Sequence, residues 1–153
     1  MLDVVVYGAS GFTGQLCAKY LKSIGLASDR WAIAGRNAEK LEGIKAKLGL
    51  DAGVQVLIAD SSDRAALDAL VKQTTTVITT VGPFLKYGEA LVAACAHAGT
   101  HYVDITGEVA FMKWTYKKYD AGVSCHLFPS RRHRVWRVAS NPPIVFNELA
   151  FMA

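Results

Sequence analysis

Cysteine is scarce in this 153-residue chain: Cys17, Cys95 and Cys125 are widely spaced and form no Cys-x-x-Cys pair. An odd number without paired spacing argues against both a disulfide framework and a zinc site, and a reducing compartment is the expectation. The four histidines, His97, His101, His126 and His133, do not follow a metal-ligand pattern, so no metal is expected. Missing too are a basic stretch leading into an apolar one at the start, and any apolar run near the roughly 20 residues that span a bilayer. The chain therefore reads as soluble and cytoplasmic. It has no internal repeat and no low-complexity tract. A short-chain dehydrogenase would carry Tyr and Lys four apart on a helix, and none of Tyr20, Tyr87, Tyr102, Tyr116 or Tyr119 has Lys at that spacing. No catalytic constellation emerges.

Excess charge is small and uneven. The net charge is +4, yet residues 1–120 hold 13 Lys/Arg against 12 Asp/Glu, while residues 121–153 hold four Arg against Glu148 alone. The body is near neutral and carries no recognition helix, so nucleic acid is not an expected partner. Apolar content of 52% suffices for the core of one domain.

Apolar runs of strand length alternate with helical patterns, the arrangement of βαβ units around a parallel sheet. Strands are expected at 3–7, 31–34, 54–59, 76–81 and 102–105, mostly continuous apolar runs as buried parallel strands should be. The helices between them show the 3.6 period through Leu16, Tyr20, Leu21 and Ile24; Leu41, Ile44 and Leu48; Leu67, Leu70 and Val71; and Leu91, Val92 and Cys95. Gly25, Gly49 and Gly99 fall where a left-handed residue ends a helix, and Asn37 and Ser62 where N-caps belong. A fifth helix is expected over 109–119. The fold class is α/β, a Rossmann-like parallel sheet in the order 3-2-1-4-5 with helices on both faces.

The stretch VVVYGASGFTGQL places Gly8, Gly11 and Gly14 at every third position between the first strand and the first helix. Spacing alone also fits a plain tight turn; the strand before it and the helix after it favour a dinucleotide cradle. In that reading Gly8 makes the turn, Gly11 lets the backbone approach a pyrophosphate, and Gly14 lets helix pack on strand, with phosphates at the helix N-terminus. Ser10 and Thr13 add hydroxyl donors. NAD binders usually place an acid at the end of the second strand; here it ends AGRN, and Arg36 stands where a 2′-phosphate would sit. Asp60 ends the third strand, placed to accept from an adenine amino group or to cap the next helix. Val81, Gly82 and Pro83 end the fourth strand and Thr106, Gly107 and Glu108 follow the fifth, Glu108 reading as a first-turn acid. All lie on the carboxyl edge where open α/β sheets bind ligands.

The segments YGASGFTG, WAIAGRN, TTVGPF and YGEALVAACAHAGTHYVDITGE together resemble the amino-terminal NADP-binding domain of saccharopine dehydrogenase-like oxidoreductases, over roughly residues 3–120. That family includes saccharopine reductases, relatives associated with lipid droplets or membranes, and trans-acting enoyl reductases of lipid synthesis; TGE looks closer to the lipid-associated branch. The resemblance implies that Gly8, Ser10, Gly11, Phe12, Thr13 and Gly14 bind the phosphates of NADP, Arg36 its 2′-phosphate, Asp60 the adenine side, and Val81, Gly82 and Pro83 the nicotinamide side. It also implies hydride transfer in full-length relatives and association with a membrane or lipid-droplet surface.

The resemblance lapses after Asp120. Where the family would continue with a sixth strand and a CGFDSIPSD-like segment, the chain reads AGVSCHLFPSRRHRVWRVASNPPIVFNELAFMA, in which residues 123–128 still suit a sixth strand. Residues 1–120 thus form the expected NADP-binding domain and 121–153 a divergent basic tail. The expectation is that this tail comes from a truncated gene model or retained intron, Val123-Ser124 being encodable by GTGAGT; a genuine short protein with a disordered basic tail is the other reading. The function expected is that of the NADP(H)-binding part of an oxidoreductase, the alternatives being a non-catalytic sensing module or an inactive fragment.

Overall fold

The computed structural model describes residues 1–120 and 135–137. Among them, chain order runs β1 (Leu2–Tyr7), α1 (Phe12–Ser23), a 3-10 turn at Ser28–Arg30, β2 (Trp31–Gly35), α2 (Ala38–Lys47), β3 (Gln55–Ile58), α3 (Arg64–Val71), β4 (Thr74–Thr79), α4 (Phe84–Tyr87), α5 (Glu89–Ala98), β5 (His101–Asp104), α6 (Val109–Thr115), a π turn at Tyr116–Asp120 and β6 (Val135–Arg137). The strands form one sheet in the order β3-β2-β1-β4-β5-β6, parallel throughout. The expected order 3-2-1-4-5 is therefore the observed one, extended at its edge. The sixth strand expected at 123–128 lies outside the described residues, and the strand seen beside β5 is a three-residue one farther along, at 135–137.

Strand residues alternate between two cores. Val6, Ile33 and Val54 meet Ala18, Leu21 and Leu41 under α1 and α2. Val5, Ala34, Val77 and Tyr102 meet Leu67, Leu91, Val92 and Phe111 under α3, α5 and α6. The middle of the sheet is the β1–β4 pair, in register from Leu2 opposite Thr74 to Tyr7 opposite Thr79. It marks the reversal of strand order at which such sheets open a crevice.

Local signals explain most helix ends. The Asn37 side chain accepts from the Lys40 N–H at 2.8 Å, and α1, α2 and α5 give way to Gly25, Gly49 and Gly99 in the left-handed region. Two expectations need correction. Asp63, not Ser62, caps α3, accepting from the Ala66 N–H at 3.0 Å; the Ser62 hydroxyl is committed elsewhere, donating to Asp60 at 2.7 Å. The buried stripe of α1 is Gly14, Ala18 and Leu21, while Leu16, Tyr20 and Ile24 face outward. The first turns of α1 approach the β1 turn so closely that small residues, Gly14 and Ala18, lie beneath them, and a large side chain, Leu21, is buried only farther along. The fifth expected helix ends at Thr115 and continues as the π turn.

Candidate functional site

A pocket of about 280 Å³ opens at the carboxyl ends of β1, β2 and β4, lined by Tyr7, Gly8, Ser10, Gly11, Gly35, Arg36, Ser61, Thr80, Val81, Gly82 and Tyr87. It begins where β1 must stop abruptly. Gly8 has φ +89°, a conformation that penalises any β-carbon, and a β-carbon there would lie 2.6 Å from Val81 Cγ2. The Gly8 N–H donates to the Ala34 carbonyl at 2.8 Å, the Thr80 N–H donates to the Tyr7 carbonyl at 3.0 Å, and the Thr80 hydroxyl reaches the Gly8 carbonyl at 3.3 Å. The turn is thus held from both neighbouring strands. Gly14 plays a different part: a β-carbon there would lie 2.3 Å from the Gly8 carbonyl oxygen, so its absence seats α1 against the turn.

The start of α1 is chemically unusual within this fold. Its N-cap is Gly11, which has no side chain to accept a hydrogen bond, and its first turn contains no acid. The helices after the next two strands are each capped by their own side chain, Asn37 for α2 and Asp63 for α3. First-turn N–H groups without a protein acceptor, together with the positive end of the helix dipole, suit an anion.

Across the pocket, Arg36 follows β2, is exposed and carries no salt bridge among the described residues. Asp60 is committed locally: its Oδ1 accepts from both the N–H and the hydroxyl of Ser62, at 2.9 and 2.7 Å. Those bonds, aided by the Arg36 charge, hold its carboxyl below the usual range and leave Oδ2 to face other partners. The Tyr7 hydroxyl donates to the Ala59 carbonyl at 3.1 Å, and burial pushes its pKa up to about 12, Asp60 adding to the rise. Tyr7 therefore floors the pocket as a neutral phenol at physiological pH.

Of the residues singled out from sequence, the pocket brings together Gly8, Ser10, Gly11, Arg36, Val81 and Gly82. Phe12, Thr13, Gly14, Asp60 and Pro83 stand beside it without lining it; Phe12 points outward and Gly14 sits beneath α1. Sequence reading passed over Tyr7, Gly35, Ser61, Thr80 and Tyr87. Four of these directly adjoin residues it named, but Tyr87 ends α4, a one-turn helix too short to show a period.

Glu108 is not the first-turn acid expected from sequence: it stands one residue earlier, at the N-cap of α6, and its side chain makes no cap bond to that helix. Its carboxylate reaches across to α4, Oε1 accepting from the Phe84 N–H at 2.6 Å and Oε2 from the Leu85 N–H at 2.9 Å. It is itself held by a short relay: the Glu108 N–H donates to the Thr106 hydroxyl, and the Thr106 N–H to Asp104 Oδ1, each at 3.0 Å. No group of three metal-ligating side chains converges among the described residues.

The profile of the saccharopine dehydrogenase NADP-binding domain matches residues 4–140. A trans-acting enoyl reductase of Mycobacterium tuberculosis is 47% identical over 112 residues, covering 72% of this chain and 27% of its own length. One of Mycobacterium leprae is 44% identical over the same span. The chain thus covers about a quarter of these curated relatives. Among solved structures, apo saccharopine dehydrogenase (L-Glu forming) from Saccharomyces cerevisiae superposes with a TM-score of 0.61 at 18% identity, over 74% of this chain and 24% of that one. Triphenylmethane reductase of Citrobacter sp., complexed with NADP(H), does so with a TM-score of 0.62 at 17% identity, over 78% of this chain and 46% of that one. At such identities the likeness is one of fold.

Proposed function

Because the chain belongs to the saccharopine dehydrogenase NADP-binding domain family, we propose that it binds NADP(H) along the carboxyl edge of β1, β2 and β4. It would serve as the cofactor-holding part of an oxidoreductase. The observation that carries this reading is the bare first turn of α1 facing, across one pocket, an exposed Arg36 that forms no salt bridge among the described residues. The pyrophosphate would rest on the N–H groups that follow Gly11, with Ser10 beside it, and Arg36 would meet the 2′-phosphate through its planar fork of donors. Asp60 Oδ2 and Ser61 border the adenine side, and Val81 to Pro83 the nicotinamide side. The bound cofactor supplies hydride chemistry; this chain's residues supply orientation and charge. The hydride acceptor would be held by polypeptide outside the quarter that these relatives share with this chain, in keeping with the enoyl reductase relatives.

Titration with NADPH and NADH, following nicotinamide fluorescence, tests the reading. Saturable NADPH binding with clearly weaker NADH binding is expected, and no binding of either would refute it.

A second reading concerns location, and one observation favours it. No helix among the described residues is long and apolar enough to cross a membrane. However, Phe12, Leu16, Tyr20 and Ile24 recur every four residues along the outer face of α1, exposed by 80%, 51%, 60% and 53%. Such a ridge suits shallow contact with a lipid surface. Sedimentation with phospholipid vesicles should pull down the protein, and the Leu16→Ser, Tyr20→Ser double variant should stay in the supernatant. Equal recovery of the two would end this reading.

A further inference from the structure

Two segments that lie more than twenty residues apart, the turn after β4 and the loop after β5, are joined by one side chain. The Glu108 carboxylate occupies the N–H groups of both Phe84 and Leu85, the two residues directly after Pro83. The helix that follows this loop, α6, grips α4 a second time through apolar contact. The Phe84 and Phe111 rings lie 5.9 Å apart, and Gly88, between α4 and α5, packs so tightly that a β-carbon there would lie 2.6 Å from Phe111 Cζ. Phe111 thus seats the helix, while Glu108 fixes where the backbone enters it. That entry point is the Val81-Gly82-Pro83 turn that walls the pocket on the β4 side.

A carboxylate at this place cannot be replaced by water without cost. The two N–H groups are the first of a one-turn helix, and their acceptor comes from another element rather than from a local N-cap, since α4 has no side-chain cap of its own within its segment. Charged acceptors bind backbone N–H groups more strongly than neutral ones. Glu108 is in turn set by Thr106 and Asp104, both buried, so its reach is fixed from the end of β5.

From this geometry we propose that Glu108 is a positioning residue for the nicotinamide half of the dinucleotide, acting through the turn Val81–Pro83 and without touching the cofactor. The inference rests on the NADP(H) reading above. It separates the two ends of the pocket: the phosphate cradle is fixed by Gly8 and Gly14, the nicotinamide wall by a carboxylate at the end of the loop after β5.

The experiment compares Glu108→Ala and Glu108→Gln with the wild type for two ligands, NADPH and 2′,5′-ADP, the latter lacking the nicotinamide nucleotide. Glu108→Ala should weaken NADPH roughly tenfold and blunt its nicotinamide emission while leaving 2′,5′-ADP within about twofold, the size expected from losing hydrogen bonds to a charged group. Glu108→Gln keeps one carbonyl acceptor and should recover about half of that loss on a logarithmic scale. If Glu108→Ala does not fold, the Gln variant alone decides by the same split between ligands. Equal losses for both ligands, or none, would overturn the inference while leaving the NADP(H) reading intact. Failure of the wild type to bind either ligand would remove the reading and the inference together.

Discussion

Replacing Gly14 by alanine should abolish dinucleotide binding and lower stability by about 3 kcal/mol, the upper end of the usual cost of overpacking. The added carbon would lie 2.3 Å from the Gly8 carbonyl oxygen and 2.7 Å from Ala9 Cα. Both are backbone atoms of the cradle, so no rotamer change relieves the clash and α1 must lift from β1. Lifting α1 moves the N–H groups that would face the pyrophosphate. The built-in control is Gly43→Ala, in the middle of α2 with no atom within 4 Å of the added carbon. There the substitution should stabilise by about 0.5–1 kcal/mol, since alanine is the better helix former. Thermal melts of the two variants, each followed by NADPH titration, check both signs. A Gly14→Ala protein that melts and binds like the wild type would mean that α1 does not sit as described.

The second large effect concerns which dinucleotide binds. Arg36→Ala should weaken NADPH by about tenfold to a hundredfold and leave NADH nearly unchanged, the difference being the loss of charge-assisted bonds to a single phosphate. Arg36→Lys should fall between, because an ammonium offers a point charge without the planar fork. The side chain is exposed, so the effect should shrink as salt rises. Dissociation constants for both coenzymes across the three proteins at two ionic strengths provide the check. A wild type that binds NADPH and NADH equally would remove Arg36 from the assignment.

Much of the architecture was legible because the signals were local. Glycines past the ends of α1, α2 and α5, the Asn37 cap and the alternation of apolar runs with helical periods all act within a few residues of where they are read. The sheet order follows from that alternation together with the glycine turn at the reversal point. The misreadings share a cause: each depended on what a segment packs against. Periodicity ranked Leu16, Tyr20, Leu21 and Ile24 as the buried face of α1; Leu21 is buried, but the first turns lie so near the β1 turn that size, not hydropathy, selects Gly14 and Ala18 there. Glu108 looked like an acid favoured by its own helix and proved to serve α4, whose lack of a local cap is visible only in three dimensions. Tyr87 enters the pocket from a helix of four residues that no window of sequence could reveal. In the site, the residues read in advance are those on strand ends, since a strand's carboxyl edge can be located from sequence. Residues brought in from across the fold could not be.

The central pairing of β1 with β4 joins segments about seventy residues apart, with two strands and three helices between them. Loop closure on that scale is among the slower events in folding, because its entropy is lost before its contacts form. Gly8 meets Val81 only once that closure is complete, so the cradle has no counterpart in a partly folded chain. Dinucleotide binding should therefore protect the amides of β1 and β4 together from hydrogen exchange. At a hundred times the dissociation constant it would add about 2.7 kcal/mol to the stability of the whole sheet rather than to one loop.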